Sequence, residues 1–422
     1  MHPLREEVHR LSRHHHDLMV RCLPLEAGEN ITSPSVRLAL TSDYGHRYAG
    51  ARWTTACYES YTQIEQKVKD TFCRVYGAGF AELRVLSGMV ANWISFLALT
   101  QPGDRIMGLR AAHGGHRTVQ ESSLAGARGL EYHPIPFDGE TMRIDLDATV
   151  AQIEEVRPRI VMVGANIFLF PYPLAELVEA TRRCGGILVY DAAMVLGLIA
   201  GGAFQNPLAA GAGVLTASTH KTFPGPQGGI VLGDSELEER IVHARRTSFS
   251  NFHPQRIVSL AMALTEIDTF GEAYAAQTVA NAKALAASLH AGGLPVLCEE
   301  VGFTETHQVI VDCASIGGAA GATQRLSEAN IISSPHPIPR DDGTDEVSGL
   351  ILGTAEVTRL GMGEVDMAQV AQRISDVVLG RRSPKDVKRE VEQLRESFQE
   401  IHYSFDEGQG AYAYFGEWKP QR

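Results

Sequence analysis

Lys221 follows Thr216, Ser218, Thr219 and His220, precedes Gly225, Gly228 and Gly229, and comes directly after an apolar run over 213–217. A lysine amine fixed at the end of a buried strand can form a Schiff base with a carbonyl group, and hydroxyls beside it can hydrogen-bond a phosphate. Alone, the pattern reads equally well as a surface lysine closing a strand. Asp191 separates the two readings. It ends another apolar run, 187–191, and α/β sheets gather ligands at the carboxyl ends of their strands. A carboxylate in that place keeps a pyridine nitrogen protonated, so that the ring can accept electrons. Ser87, Gly88 and Met89 open a helical stretch, where free N–H groups and a glycine allowing close approach make a phosphate cradle. His113 and His116 flank two glycines; a histidine on such a loop can stack on a flat ring, although either one taken singly reads as a core histidine. Schiff-base lysine, ring acid, phosphate cradle and ring-stacking histidine together describe a site for pyridoxal 5′-phosphate (PLP).

Such groups must be presented by a sheet. Short apolar runs over 105–109, 159–164, 186–191, 213–217 and 229–233 alternate with amphipathic segments such as 174–184, which predicts an α/β domain with a mostly parallel sheet covered on both faces. Past a helical region over 257–289 the pattern changes, and runs over 309–312, 330–333 and 349–353 predict strands of a smaller α+β unit, followed by helices over 365–379 and 386–400. Upstream, 5–21 reads as a polar helix, 31–40 as another after the Ser33-Pro34 start signal, 44–61 as an aromatic and arginine-rich loop, and 63–76 as helical. The tail from Tyr403 onward reads as loop that docks on the body. The 422 residues divide in this reading into an N-terminal arm (1–45), a large cofactor-binding domain (46–275) and a small C-terminal domain with a helical tail (276–422).

In chain order, segments 25–30, 87–92, 112–116, 219–222, 304–307 and 348–354, with Asp191, Thr358 and Arg359, resemble the serine hydroxymethyltransferase family of fold-type-I PLP enzymes, which have the aspartate-aminotransferase-like fold. The resemblance covers roughly residues 20–380. It implies that Lys221 bonds the cofactor, Asp191 holds the pyridinium, and His113 stacks on the ring. Gly88, Met89, Ser218 and His220 surround the phosphate, and Asn166 joins the cofactor-binding set. Glu29 falls where the family keeps an acid that manages protons on the substrate side chain. Tyr44 reaches the phosphate of the neighbouring subunit, which implies a homodimer with shared active sites acting on a small amino acid.

Departures fall on substrate-facing positions. Ile351 stands where the family has an arginine for the substrate carboxylate, and isoleucine cannot replace a bidentate fork. Thr54 stands for a tyrosine, Met194 for a histidine, Gln227 for an arginine, and 248–254 and 335–347 look unrelated to the family's corresponding segments. Arg47, Arg52 and Arg246 are candidate substitutes for the clamp. These losses favour a specialised relative that breaks a bond at Cα or Cβ of a larger or modified amino acid, with S-linked cysteine conjugates of antibiotic biosynthesis ranked first. The alternatives are ordinary serine–glycine hydroxymethyl transfer with tetrahydrofolate, and a non-catalytic PLP-binding homologue.

The formal charge of -12 argues against a nucleic-acid surface. The six cysteines lie apart with no C-x-x-C pair, so free thiols in a reducing compartment are expected rather than disulfides or zinc. Three adjacent histidines, His14 to His16, cannot all face one ion and read as solvated. A polar start without an apolar core segment predicts no signal peptide, and Asp191 within the most apolar stretch argues against a membrane span. The chain reads as cytoplasmic.

Overall fold

The computed structural model describes residues 2–49, 56–164 and 166–412. Seven strands build one sheet: β1 (Phe80–Val85), β2 (Arg105–Gly108), β3 (Glu131–Pro134), β4 (Ile160–Gly164), β5 (Ile187–Asp191), β6 (Val214–Ser218) and β7 (Gly229–Gly233), in the order β1-β7-β6-β5-β4-β2-β3. Neighbours from β6 to β3 are parallel, whereas β7 runs antiparallel to both β6 and β1. Every residue of β4, β6 and β7 is buried, which accounts for their unbroken apolar sequences.

Alternate side chains pack on the two faces of this sheet. Val161 and Val163 join one cluster, Ile160 and Met162 the other, as the period of two in a strand demands. Helix α1 (Pro3–Arg21) has no fully buried residue; His14 and His15 are exposed, whereas His16 is half-buried with its ring 6.4 Å from that of Tyr412, and no metal-binding group of His, Cys, Asp or Glu is present among the described residues. Helices α2 (Ala56–Tyr76), α3 (Gly88–Leu99), α4 (Glu238–Ser248) and α5 (Pro254–Ala291) cover the sheet, α2 and α5 on the face of Val161, α3 and α4 on the face of Ile160. No described helix is long and apolar enough to cross a membrane.

A second core forms around β8 (Gln308–Asp312), β9 (Ser334–His336) and β10 (Gly349–Gly353), an antiparallel sheet in the order β8-β10-β9. It is backed by α6 (Glu364–Val378) and α7 (Pro384–Arg395). Helix α5 runs through position 275, with Ile257 to Ala275 in the first core and Ala282 to Leu289 in the second.

Several elements differ from the sequence reading. The run over 330–333 is not one strand: Ile331–Ile332 pairs in parallel with Leu23–Pro24, and the chain then shifts to β9 at the edge of the small sheet. Pro335 has no N–H to donate, and an edge strand is where a sheet tolerates that. Helix α7 stops at Arg395, short of 400, where the Arg395 side chain turns back to the Cys22 carbonyl (2.7 Å). Strands β1 and β3 have no counterpart in the apolar runs, because β1 carries Glu82 and Arg84, and β3 is a half-exposed edge. The tail docks through residue 412, where the Tyr412 hydroxyl lies 3.3 Å from Arg395 and 3.4 Å from Glu356.

Candidate active site

The loop between β6 and β7 is braced from several sides before Lys221 enters it. Thr219 donates to the Pro226 carbonyl (2.7 Å) and its own carbonyl accepts from Gly225 (3.0 Å). Thr222 donates to the Met194 carbonyl (2.7 Å) and accepts from the Gly197 N–H (3.1 Å). The Asn30 amide donates to the Lys221 carbonyl (2.7 Å) and to the Tyr274 hydroxyl (2.8 Å), so the N-terminal segment holds the lysine's backbone from across the chain. Burial pushes the Lys221 ammonium's pKa down, with Asp191 and then Glu26 pulling the other way. The lowered value makes the neutral, nucleophilic amine accessible.

Asp191 closes β5, 3% exposed. One oxygen accepts from the Asn92 side chain (2.7 Å) and the other from the Ala193 N–H (3.0 Å). Asn92 is itself fixed by accepting from Thr216 (2.6 Å) and by donating to Thr118 (3.2 Å). Four segments thus meet at one carboxylate, which keeps acceptor capacity for a further donor such as a ring N–H.

Ser87 caps α3 through the Val90 N–H (3.2 Å). Any Cβ on Gly88 would strike the Ser218 hydroxyl, so the glycine lets the start of α3 meet the end of β6. Gly88 and Ser218, two of the residues expected to surround a phosphate, are thus adjacent, while the Met89 side chain points outward, 41% exposed. His220 stands beside it with Nδ1 unpartnered. Burial, then Lys221, pushes its pKa down to about 4, so it is neutral at physiological pH.

Two histidines lie on the loop that follows β2. His113 stacks on Phe137 (centroids 5.0 Å, 14° between planes), with Nε2 3.7 Å from Asp342. Burial lowers its pKa, with Asp342 and Arg110 as the charges acting on it. His116, whose Nδ1 lies 3.1 Å from the Thr118 hydroxyl, is also pushed down by burial, but the charges acting on it are Asp191, Lys221, Arg117 and His336. The side chain of Asn166 reaches the Gly115 carbonyl (3.4 Å), its N–H donates to Gly114 (2.9 Å), and its carbonyl accepts from Gln308 (2.8 Å). It therefore ties the histidine loop to β8 in the second core.

Glu29 is exposed, and its carboxyl is pushed up first by partial burial and then by Glu26. The carboxylate whose charge acts on Lys221 and on His336 is Glu26, held by the Ser334 hydroxyl (3.1 Å) and the Gly28 N–H (3.2 Å). Tyr44 meets Ser60 (2.9 Å) and the Tyr61 ring (5.9 Å). Ile351 is buried on β10 between Ile310 and Ser334 in register, and Met194 is buried as well. Arg47 is exposed and paired with Asp43 (2.9 Å), Arg246 is exposed on α4, and Thr54 and Arg52 lie outside the described residues. The sequence reading gave no role to Asn92, Asn30 or Glu26, since each acts on a group distant in the chain. Asn92 and Asn30 nevertheless stood inside the segments that carried the resemblance.

The residues fit PLP. The cradle at Gly88 would be filled by a Cβ, His220 and His113 each keep a buried, unpartnered Nδ1, and Asp191 lies within electrostatic reach of Lys221.

Comparison with known proteins agrees. A family model described as serine hydroxymethyltransferase matches residues 4–374. The serine hydroxymethyltransferase of Methanopyrus kandleri is 49% identical over 418 residues, covering 96% of this chain and 97% of that protein. That of Methanocella arvoryzae is 44% identical over 405 residues, covering 94% and 95%. The crystal structure of L-threonine transaldolase from Pseudomonas fluorescens superposes with a TM-score of 0.87 at 29% identity, covering 96% of each chain.

Proposed function

Because this chain belongs to the serine hydroxymethyltransferase family, a family of fold-type-I PLP enzymes, we propose that it transfers the hydroxymethyl carbon of serine to a reduced pteridine carrier such as tetrahydrofolate, leaving glycine. The observation that carries this reading is the end-to-end match, at 41–49% identity, to relatives bearing that name. The preference drawn from sequence for an S-linked cysteine conjugate of antibiotic biosynthesis gives way to it, since none of those relatives supports such a substrate.

Bound in this site, PLP supplies an electron sink for negative charge that develops at the substrate's Cα. The chain does the rest. Asp191, oriented by Asn92 and Ala193, would hold a proton on the ring nitrogen, and the α3 amides with Ser218 and His220 would grip the phosphate. Lys221, its amine freed by burial, would hold the cofactor and give way to the substrate amine; once the Cα–Cβ bond of serine breaks and its hydroxymethyl carbon passes to the carrier, a proton delivered to Cα would leave glycine. Asn30 keeps the lysine amine at one point relative to Asp191, because it holds the Lys221 carbonyl, and orientation of this kind contributes much of an enzyme's rate. In this reading two chains share each site, with Tyr44 serving the partner.

Ile351 keeps one second reading alive. Its buried apolar side chain offers no donor to a carboxylate, which suits a larger amino acid gripped elsewhere. The test is direct. PLP-loaded enzyme is incubated with serine, with and without tetrahydrofolate, and glycine is quantified beside parallel incubations with S-alkyl cysteines. Carrier-dependent glycine formation is the expected result; turnover of the cysteine conjugates without any glycine from serine would overturn the proposal.

A further inference from the structure

Arg256, near the start of α5, is 5% exposed, and its Nε and Nη1 have no hydrogen-bond partner among the described residues. Its Nη2 donates to the Leu83 carbonyl of β1. The nearby carboxylates are already engaged. Glu65 takes Arg84 through two bonds of 2.6 Å, and Glu82 takes Arg245 (3.2 Å) and the Arg84 N–H (2.8 Å). Three arginines therefore share two glutamates. The hydroxyl of Tyr61, fully buried in the same charge field, is unpartnered too. A buried guanidinium without a counter-charge is costly, so this corner of the fold is built to receive an anion.

The geometry indicates which anion. A Cβ on Gly228 would strike Arg256 Nη1, and a Cβ on Gly229 would strike the Ser87 carbonyl and come within 3.1 Å of the Gly88 nitrogen. Two successive residues thus touch the guanidinium on one side and the cradle at the start of α3 on the other. Gly229 also pairs in register with Ser218. Only a residue without a side chain at 228 leaves room for the arginine there.

We propose that Arg256 provides the positive charge that balances the phosphate of PLP, reaching it over Gly228. This goes beyond the proposed reaction and is independent of it, since it concerns cofactor binding alone. Burial pushes the Arg256 pKa down to about 10, as a cation awaiting its partner should show.

The test compares PLP with pyridoxal, which lacks the phosphate, by fluorescence titration of wild type, Arg256→Met and Arg256→Lys, with thermal midpoints of the cofactor-free proteins. Arg256→Met should weaken PLP about 10- to 100-fold, the usual range for a charge-assisted contact, and leave pyridoxal unchanged. It should not lower the midpoint of the cofactor-free protein, because it removes an uncompensated charge. Arg256→Lys should recover part of the loss. Gly228→Ala, which pushes the guanidinium aside, should weaken PLP in the wild-type background and add nothing to Arg256→Met. Equal losses for PLP and pyridoxal, or unchanged PLP affinity in Arg256→Met, would overturn the assignment.

Discussion

Asn92→Ala is the sharpest probe of how the site is held. The asparagine is 1% exposed and makes three hydrogen bonds, one to a carboxylate. Losing a hydrogen bond to a charged acceptor costs about 1.5–3 kcal/mol, and stranding the buried Thr216 hydroxyl adds roughly 1 kcal/mol. The cofactor-free protein should therefore lose about 3 kcal/mol in urea unfolding, read from the midpoint at constant slope. Thr216→Val alone should cost less, and the double variant should cost about 1 kcal/mol less than the sum, because the two side chains share one bond. Reconstituted Asn92→Ala should also bind PLP more weakly, since Asp191 then keeps only the Ala193 N–H to orient it. A loss below about 0.5 kcal/mol, or strict additivity with Thr216→Val, would refute the claim that Asn92 links β6 to the ring acid.

Three further outcomes follow from the same geometry. Asn30→Ala removes the donor to the Lys221 carbonyl and should lower kcat about tenfold through misplacement of the amine, with less effect on cofactor affinity. Gly229→Ala drives a methyl into the Ser87 carbonyl and should displace the cradle, weakening PLP in an equilibrium titration while the far-ultraviolet circular dichroism is retained. His307 is fully buried, and burial pushes its pKa down to about 4. The unfolded chain, with an ordinary histidine near 6.5, binds the extra proton between those values. Stability should therefore fall as pH drops from about 6.5 toward 4, by up to about 3 kcal/mol from this residue; His307→Gln should flatten that part of the profile.

Asp191, which ends β5, and Lys221, three residues beyond the end of β6, stood out in the sequence because each follows an apolar run in which a polar residue is conspicuous. The positions that orient them were not. Asn92 and Asp191 are 99 residues apart, and nothing in local pattern marks an asparagine on an apolar helix as a carboxylate's partner. Glu29 and Glu26 lie three residues apart, and the resemblance pointed to Glu29; the charge of Glu26 on Lys221 depends on the fold and has no mark in local sequence. Breaking the 330–333 run needed knowledge of its two partners, Leu23–Pro24 and β10, which sequence does not supply. Strand β1 escaped notice because its polar residues are satisfied by Arg245 and Glu65 from α4 and α2, a pairing that exists only in the fold. Arg256 reads as an ordinary helix arginine until Gly228 is seen beneath it.

The fate of the hydroxymethyl carbon of serine tests the proposed reaction most directly. Serine labelled with carbon-13 at Cβ, incubated with PLP-loaded enzyme and tetrahydrofolate, is followed by nuclear magnetic resonance beside the Lys221→Ala variant. The account predicts label appearing on the carrier with unlabelled glycine accumulating, and neither in Lys221→Ala, which should also lose the visible absorption of the bound cofactor. Label remaining in serine under a fully formed cofactor band would contradict it.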